Sequence, residues 1–119
     1  MRVLVVDDEL LIRWSVSETL TEAGHEVTEA ADAASAVVAV LNTRPDVVLL
    51  DYRLPDSDDL GLLTKIRRLA PAAAVIMMTA FGTPEMTSAA IELGAREVVN
   101  KPFNMRDLAE KVRIAAAIR

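Results

Sequence analysis

Val47-Val48-Leu49-Leu50-Asp51 is the stretch on which the fold turns. Four apolar residues run unbroken into a carboxylate. A strand with one wet face would alternate apolar and polar side chains, so this run reads as a strand buried on both sides, the habit of parallel sheets sandwiched by helices. Working outward, the same texture recurs at Val3-Leu4-Val5-Val6, at Val75-Ile76-Met77-Met78 and more weakly at Val98-Val99, while residues 25–30 fit a less buried strand. Helical spacing fills the intervals. Ile12, Val16, Leu20 and Ala23 mark one face of a first helix that Gly24 stops. Ala34, Val37, Val38 and Leu41 mark a second, ending before Pro45, and Leu63, Ile66 and Ala70 a third, closed by Pro71. Met86, Ala90 and Leu93 mark the fourth, between Pro84 and Gly94, and Leu108, Val112 and Ala115 the last, with Asn104 as its cap.

Alternating strands and helices predict a parallel sheet with helices on both faces and right-handed crossovers. The 119 residues read as one domain over 1–119. The chain stops inside its last helix, so Arg119 can be a boundary within a longer protein. Hydrophobic residues make up 52% and aromatics only 3%, so Ala, Val, Leu, Ile and Met must build the interior. There is no cysteine, in keeping with a reducing compartment. Only four apolar residues precede Asp7-Asp8, too few for a signal peptide or a membrane span, and the expected location is the cytoplasm. A net charge of −5 argues against nonspecific nucleic-acid binding by this domain, which needs clustered Lys and Arg.

Ligands of open parallel sheets bind beyond the carboxyl ends of the strands. The residues there are Asp7-Asp8, Asp51, Thr79-Ala80 and Lys101-Pro102. If the three aspartates converge, more than half of the acidic excess belongs to one site. At ~5 Å and an effective dielectric of ~20, each carboxylate pair costs roughly 3 kcal/mol, so the cluster must protonate, spread or bind a cation. Oxygen ligands suit a hard cation, and a few carboxylates with water describe magnesium better than calcium. With no Cys and with His25 away from this rim, zinc is disfavoured. Asp51 could attack phosphorus as a carboxylate nucleophile, with Lys101 and the Thr79 hydroxyl against the phosphoryl oxygens. Taken singly, Asp8 is most often a helix cap, Asp51 a turn former, Lys101 a solvated charge and Thr79 a loop hydroxyl. Their coincidence at four strand ends points to a site.

Val5-Val6-Asp7-Asp8-Glu9, Leu49-Leu50-Asp51-Tyr52-Arg53-Leu54-Pro55, Met78-Thr79-Ala80 and Asn100-Lys101-Pro102-Phe103 together resemble the receiver (CheY-like) domains of bacterial two-component response regulators. Ile12-Arg13-Trp14 with Thr79-Ala80-Phe81 is similar to the NtrC-like branch of transcriptional activators, whose receivers precede an ATPase and a DNA-binding domain. The resemblance implies a flavodoxin-like, doubly wound α/β fold: a five-stranded parallel sheet of order 2-1-3-4-5 with five helices. It implies a phosphoacceptor signalling domain rather than an enzyme, with Asp51 as phosphoacceptor. Magnesium would be bound by Asp8, Asp51 and the Arg53 carbonyl, with Asp7 helping through water. Thr79 and Lys101 would sense the phosphoryl group, and the Lys101–Pro102 bond would be cis. Expected partners are a sensor histidine kinase or phosphotransfer protein, a second receiver in an activated homodimer, and attached ATPase and DNA-binding output domains.

Two positions depart from the family pattern. Val98 stands where many receivers carry an aromatic switch residue, so no rotating ring can be the readout there. Asp59, in Asp56-Ser57-Asp58-Asp59-Leu60-Gly61, replaces a common Gly. Trp14 falls away from the buried face of its helix, either as a docking surface for a kinase or as a ring lying flat on neighbours. A phosphatase of the haloacid-dehalogenase type would need a second Asp at position 53, where Arg53 stands. A nucleotide or flavin module would need Gly-rich loops, and only four glycines occur. A receiver-shaped interaction module that is never phosphorylated is the remaining alternative.

Overall fold

The computed structural model describes residues 1–57 and 59–117; Asp58, Ile118 and Arg119 lie outside the described residues. Strands and helices alternate as β1 (Arg2–Val6), α1 (Leu10–Glu22), β2 (Glu26–Ala30), α2 (Ala33–Thr43), β3 (Val47–Asp51), α3 (Gly61–Leu69), β4 (Ala74–Thr79), α4 (Pro84–Glu92), β5 (Glu97–Asn100) and α5 (Met105–Ala117). The strands form one sheet in the order β2-β1-β3-β4-β5, and every pairing is parallel. This is the doubly wound architecture expected, with the strand order reversing beside β1.

Alternation along β3 explains why its apolar run is continuous. Val47 and Leu49 enter the core beneath α1 and α5, with Val16, Leu20, Leu108 and Val112. Val48 and Leu50 enter the core on the other face, with Leu63 and Ile66 of α3 and Ala90 of α4. Both sets of side chains are removed from water, so no position of the run tolerates a polar residue until Asp51 at its end.

The helix ends follow local chemistry. The Thr83 hydroxyl accepts the Met86 amide ahead of Pro84 at the first helical position, and Asn104 Oδ1 accepts the Arg106 amide at 2.8 Å. Gly94 adopts φ +106° after α4 and lies so close to Arg67 that a Cβ there would approach its Nε to 2.8 Å.

Some helix faces differ from expectation. On α2 the buried residues are Ala36 and Val40, whereas Val38 and Leu41 are 57% and 56% exposed. Ala34 is exposed as well. Apolar residues run almost all round Ala33–Thr43, so spacing alone cannot choose the inward face. Ala23 and Leu93 are exposed because each is the C-cap residue, already turning away from its helix.

Leu49 is fully buried at the centre of β3. Leu49→Ala should lower the unfolding free energy by roughly 3 kcal/mol (about 2–5 for such a cavity) in urea denaturation; a loss under about 1 kcal/mol would contradict this placement of the core.

Candidate functional site

The parallel register brings the strand ends together. Val6 of β1 stands level with Leu50 of β3, Asp51 level with Met78 of β4, and Thr79 level with Asn100 of β5. The next residues along β1 and β5 are Asp7 and Lys101. All of the side chains singled out by sequence therefore arrive at one rim. Asp7, Asp51 and Thr79 are buried, while Asp8 is exposed at the mouth. Asp8, Glu9, Asp51, Arg53, Thr79, Ala80, Phe81 and Lys101 line a cavity of about 260 Å³. A larger hollow of about 460 Å³ lies between the carboxyl ends of α2 and α3, with Val40, Pro45 and Leu69 in its wall. It lacks this concentration of charge, so the smaller one is the candidate site.

Lys101 binds the site together. Its Nζ lies 2.8 Å from Asp7 Oδ2, 3.3 Å from Asp51 Oδ2 and 3.4 Å from Glu9 Oε1. Asp7 is held from its other oxygen, where the Glu9 amide donates to Oδ1 at 2.9 Å. Asp8 does not cap α1; Glu9 occupies that position, with no side-chain cap. The Thr79 hydroxyl oxygen accepts the Phe81 amide at 3.2 Å. The Lys101–Pro102 peptide is cis.

Burial pushes the Asp51 carboxyl from its ordinary 3.8 up to about 6, and the charge of Asp7 pushes the same way, while Lys101 and the Arg53 amide pull it back. For Lys101, burial acts downward, but the hydrogen bond and charge of Asp7 with those of Asp51 outweigh it and hold the ammonium above its ordinary value. Asp7, Asp8 and Asp51 each offer a carboxylate oxygen, all within 4.8 Å of one another. With Glu9 they set four carboxylates against the Lys101 ammonium and the exposed Arg53 guanidinium. This oxygen-only, under-neutralised donor set fits a hard divalent cation.

Residues 3–113 match the family of the response regulator receiver domain. The chain belongs to that family. The receiver is similar to the probable transcriptional regulatory protein TcrX of Mycobacterium tuberculosis, 39% identical over 111 residues, which are 93% of this chain and 47% of that protein. It is 33% identical over 112 residues to sporulation initiation phosphotransferase F of Bacillus subtilis, covering 94% of this chain and 90% of that protein. Among solved structures, the receiver domain of NtrX from Brucella abortus superposes with a TM-score of 0.91 at 37% identity, covering 98% of this chain and 99% of that one. The receiver thus spans about half the length of TcrX.

Several contacts around the receiver's site went unread in the sequence. Glu9 belongs to the acidic motif, but only the fold sets it beside Lys101. Asp56 reaches across to α2, its two oxygens accepting the Ala33 and Ala34 amides at 2.7 and 3.1 Å. It thereby pins the loop after Asp51 to a helix N-terminus that already has its own Asp32–Ser35 capping box. Asp59 does change local bonding: its Oδ1 accepts the Gly61 amide at 2.8 Å as α3 begins. Val98 is half-buried against the core on the α4 side. Trp14 is 55% exposed on α1 beside exposed Leu10 and Leu11.

The raised Asp51 value fixes a sign for stability. Ionising Asp51 is harder in the folded chain, so its stabilising contribution is full below about pH 4 and is lost as pH rises through about 6. The loss is at most about 3 kcal/mol. In thermal melts without divalent cations, Asp51→Asn should melt above the parent at pH 7.5, with the gap closing near pH 4. A gap independent of pH would contradict the shift.

Proposed function

We propose that this receiver takes a phosphoryl group from a kinase phosphohistidine onto Asp51 and so switches the surface of α4, β5 and α5. The observation that carries the reading is a buried Asp51 carboxylate, beside an ammonium and a hydroxyl, facing an acidic cavity. With a value of about 6 it is mostly ionised near pH 7 and so available as a nucleophile. One Asp51 oxygen bonds to phosphorus while the phosphorus–nitrogen bond to the donor histidine breaks, its electron pair staying on the imidazole. Asp8, Asp51 and the Arg53 carbonyl would hold magnesium, with Asp7 acting through water. When bound, the ion neutralises charge on the transferring oxygens.

Lys101 already touches Asp51, and a short displacement gives a phosphoryl oxygen a charge-assisted hydrogen bond. Thr79 accepts from Phe81, which leaves its own proton free to donate. As Thr79 turns toward the phosphoryl group, the Phe81 amide moves with it and draws in the loop between β4 and α4. The response is a two-state population shift; going from 1:99 to 99:1 takes about 5.5 kcal/mol of differential stabilisation. With Val98 at β5, that readout uses the loop and backbone rather than an aromatic rotamer.

The exposed Leu10, Leu11 and Trp14, on the helix that follows cavity-lining Asp8 and Glu9, suit docking of a sensor histidine kinase or phosphotransfer protein. A second receiver would bind the switched surface. Ile12-Arg13-Trp14 and the likeness to the NtrX receiver support the NtrC-like branch, with ATPase and DNA-binding output domains and a cytoplasmic site of action. Among the described residues no helix is long and apolar enough to cross a membrane.

Incubation with acetyl phosphate and magnesium should add one phosphoryl group by intact-protein mass, absent in Asp51→Asn and absent without magnesium. No added mass despite bound magnesium would favour a receiver working without phosphorylation, or a phosphoryl group too short-lived to trap. Thr79→Ala should still be phosphorylated but show a smaller change in amide exchange across β5 and α4; a change equal to the parent's would remove Thr79 from the switch. Lys101→Ala should uncouple the two more severely.

A further inference from the structure

In Ile12-Arg13-Trp14, Ile12 packs against the core and Trp14 faces solvent, which leaves Arg13 without a role. Its side chain is largely buried, at 16% exposure, and it bonds on two sides. Nη1 donates to the Asp7 carbonyl at 2.8 Å, and Nε donates to Glu29 Oε1 on β2 at 3.0 Å. The Asp7 carbonyl belongs to the peptide group that joins Asp7 to Asp8. That peptide lies between a strand and a helix, where no ladder bond is available to its carbonyl. The Asp7 amide is anchored to the same strand, donating to the Ala30 carbonyl at 3.1 Å. Both ends of Asp7 are therefore tied to β2, one directly and one through Arg13.

We infer that Arg13 is a positioning residue for the cation pocket: it clamps the Asp7–Asp8 peptide to the edge strand, so that both carboxylates stay turned toward Asp51. The inference rests on the pocket binding magnesium, as proposed above. Two effects of Arg13 oppose each other, and that makes the idea testable by sign. As a charge, a guanidinium on the Asp7 carbonyl repels an incoming cation, so its removal should tighten magnesium binding. As a clamp, it keeps mutually repelling ligands assembled, so its removal should let them spread and weaken binding. Groups that orient metal ligands from outside typically matter by roughly 10–100-fold; a clamp acting through backbone should fall at or below that range.

The experiment is a magnesium titration followed by amide chemical shifts, on the unaltered chain, Arg13→Ala and Arg13→Lys, with a thermal melt of each. Arg13→Ala should bind magnesium roughly three- to tenfold more weakly. Arg13→Lys, which keeps the repelling charge but cannot span both acceptors with a fork, should also bind magnesium more weakly than the unaltered chain. Unchanged or tighter binding by folded Arg13→Ala overturns the inference, because a merely structural role would lower the melting temperature and leave the affinity of the folded protein alone. Should Arg13→Ala fail to fold, Arg13→Lys decides, and affinity equal to the unaltered chain overturns it. If the unaltered chain binds no magnesium, the pocket reading itself fails and takes the inference with it. Magnesium bound equally by all three defeats the inference alone.

Discussion

One ammonium, that of Lys101, stands between two buried aspartates delivered by different strands, and the surrounding structure is arranged around that contact. Its distances to Asp7 and Asp51 are 2.8 and 3.3 Å. Asp7 follows β1, Asp51 ends β3 and Lys101 follows β5, so only the parallel order β2-β1-β3-β4-β5 and its register bring them together. Buried carboxylates with one shared cation remain under-neutralised. The resulting strain is legible in Asp51, which burial and Asp7 hold above the usual carboxylate range despite Lys101. A cation or a phosphoryl group with its own ligands changes that balance, and either one acts on groups rooted in three strands at once.

The rim is otherwise fixed by short local bonds. The Glu9 amide holds Asp7, the Phe81 amide holds Thr79, and Asp56 fastens the loop after Asp51 to the start of α2. These devices differ in what they allow. Asp56 ties its loop to the start of α2, whereas the Thr79 hydroxyl is tied to its own loop, exposed at Phe81. On the proposed reading, a turn of the Thr79 hydroxyl breaks one bond within its own loop, and the response runs toward α4 and β5.

Much of this was legible in the sequence. The runs at 3–6, 47–50 and 75–78 became fully buried strands because a strand covered on both faces has an unmistakable composition. The polar residues ending them became the site because strand ends are where a parallel sheet presents side chains. The face of α2 was not legible, since Ala and Val around Ala33–Thr43 leave several equivalent stripes. Contacts made through space were hidden for another reason. Arg13 to Asp7, Glu9 to Lys101 and Asp56 to α2 depend on helix placement and loop path, and nothing in a lone charged residue names its partner. The raised value of Asp51 was likewise out of reach until its burial was known.

The most direct test is a pH titration of the aspartate side-chain carboxyls by carbon-13 nuclear magnetic resonance, without and then with magnesium. Asp51 should titrate near 6 in the metal-free receiver and fall well below that with magnesium, while Asp32, held low by its Ser35 hydrogen bonds and outside the lining of the cavity, should not respond. An Asp51 midpoint near 4 that magnesium leaves unmoved would contradict the electrostatic unit at the strand ends on which the account depends.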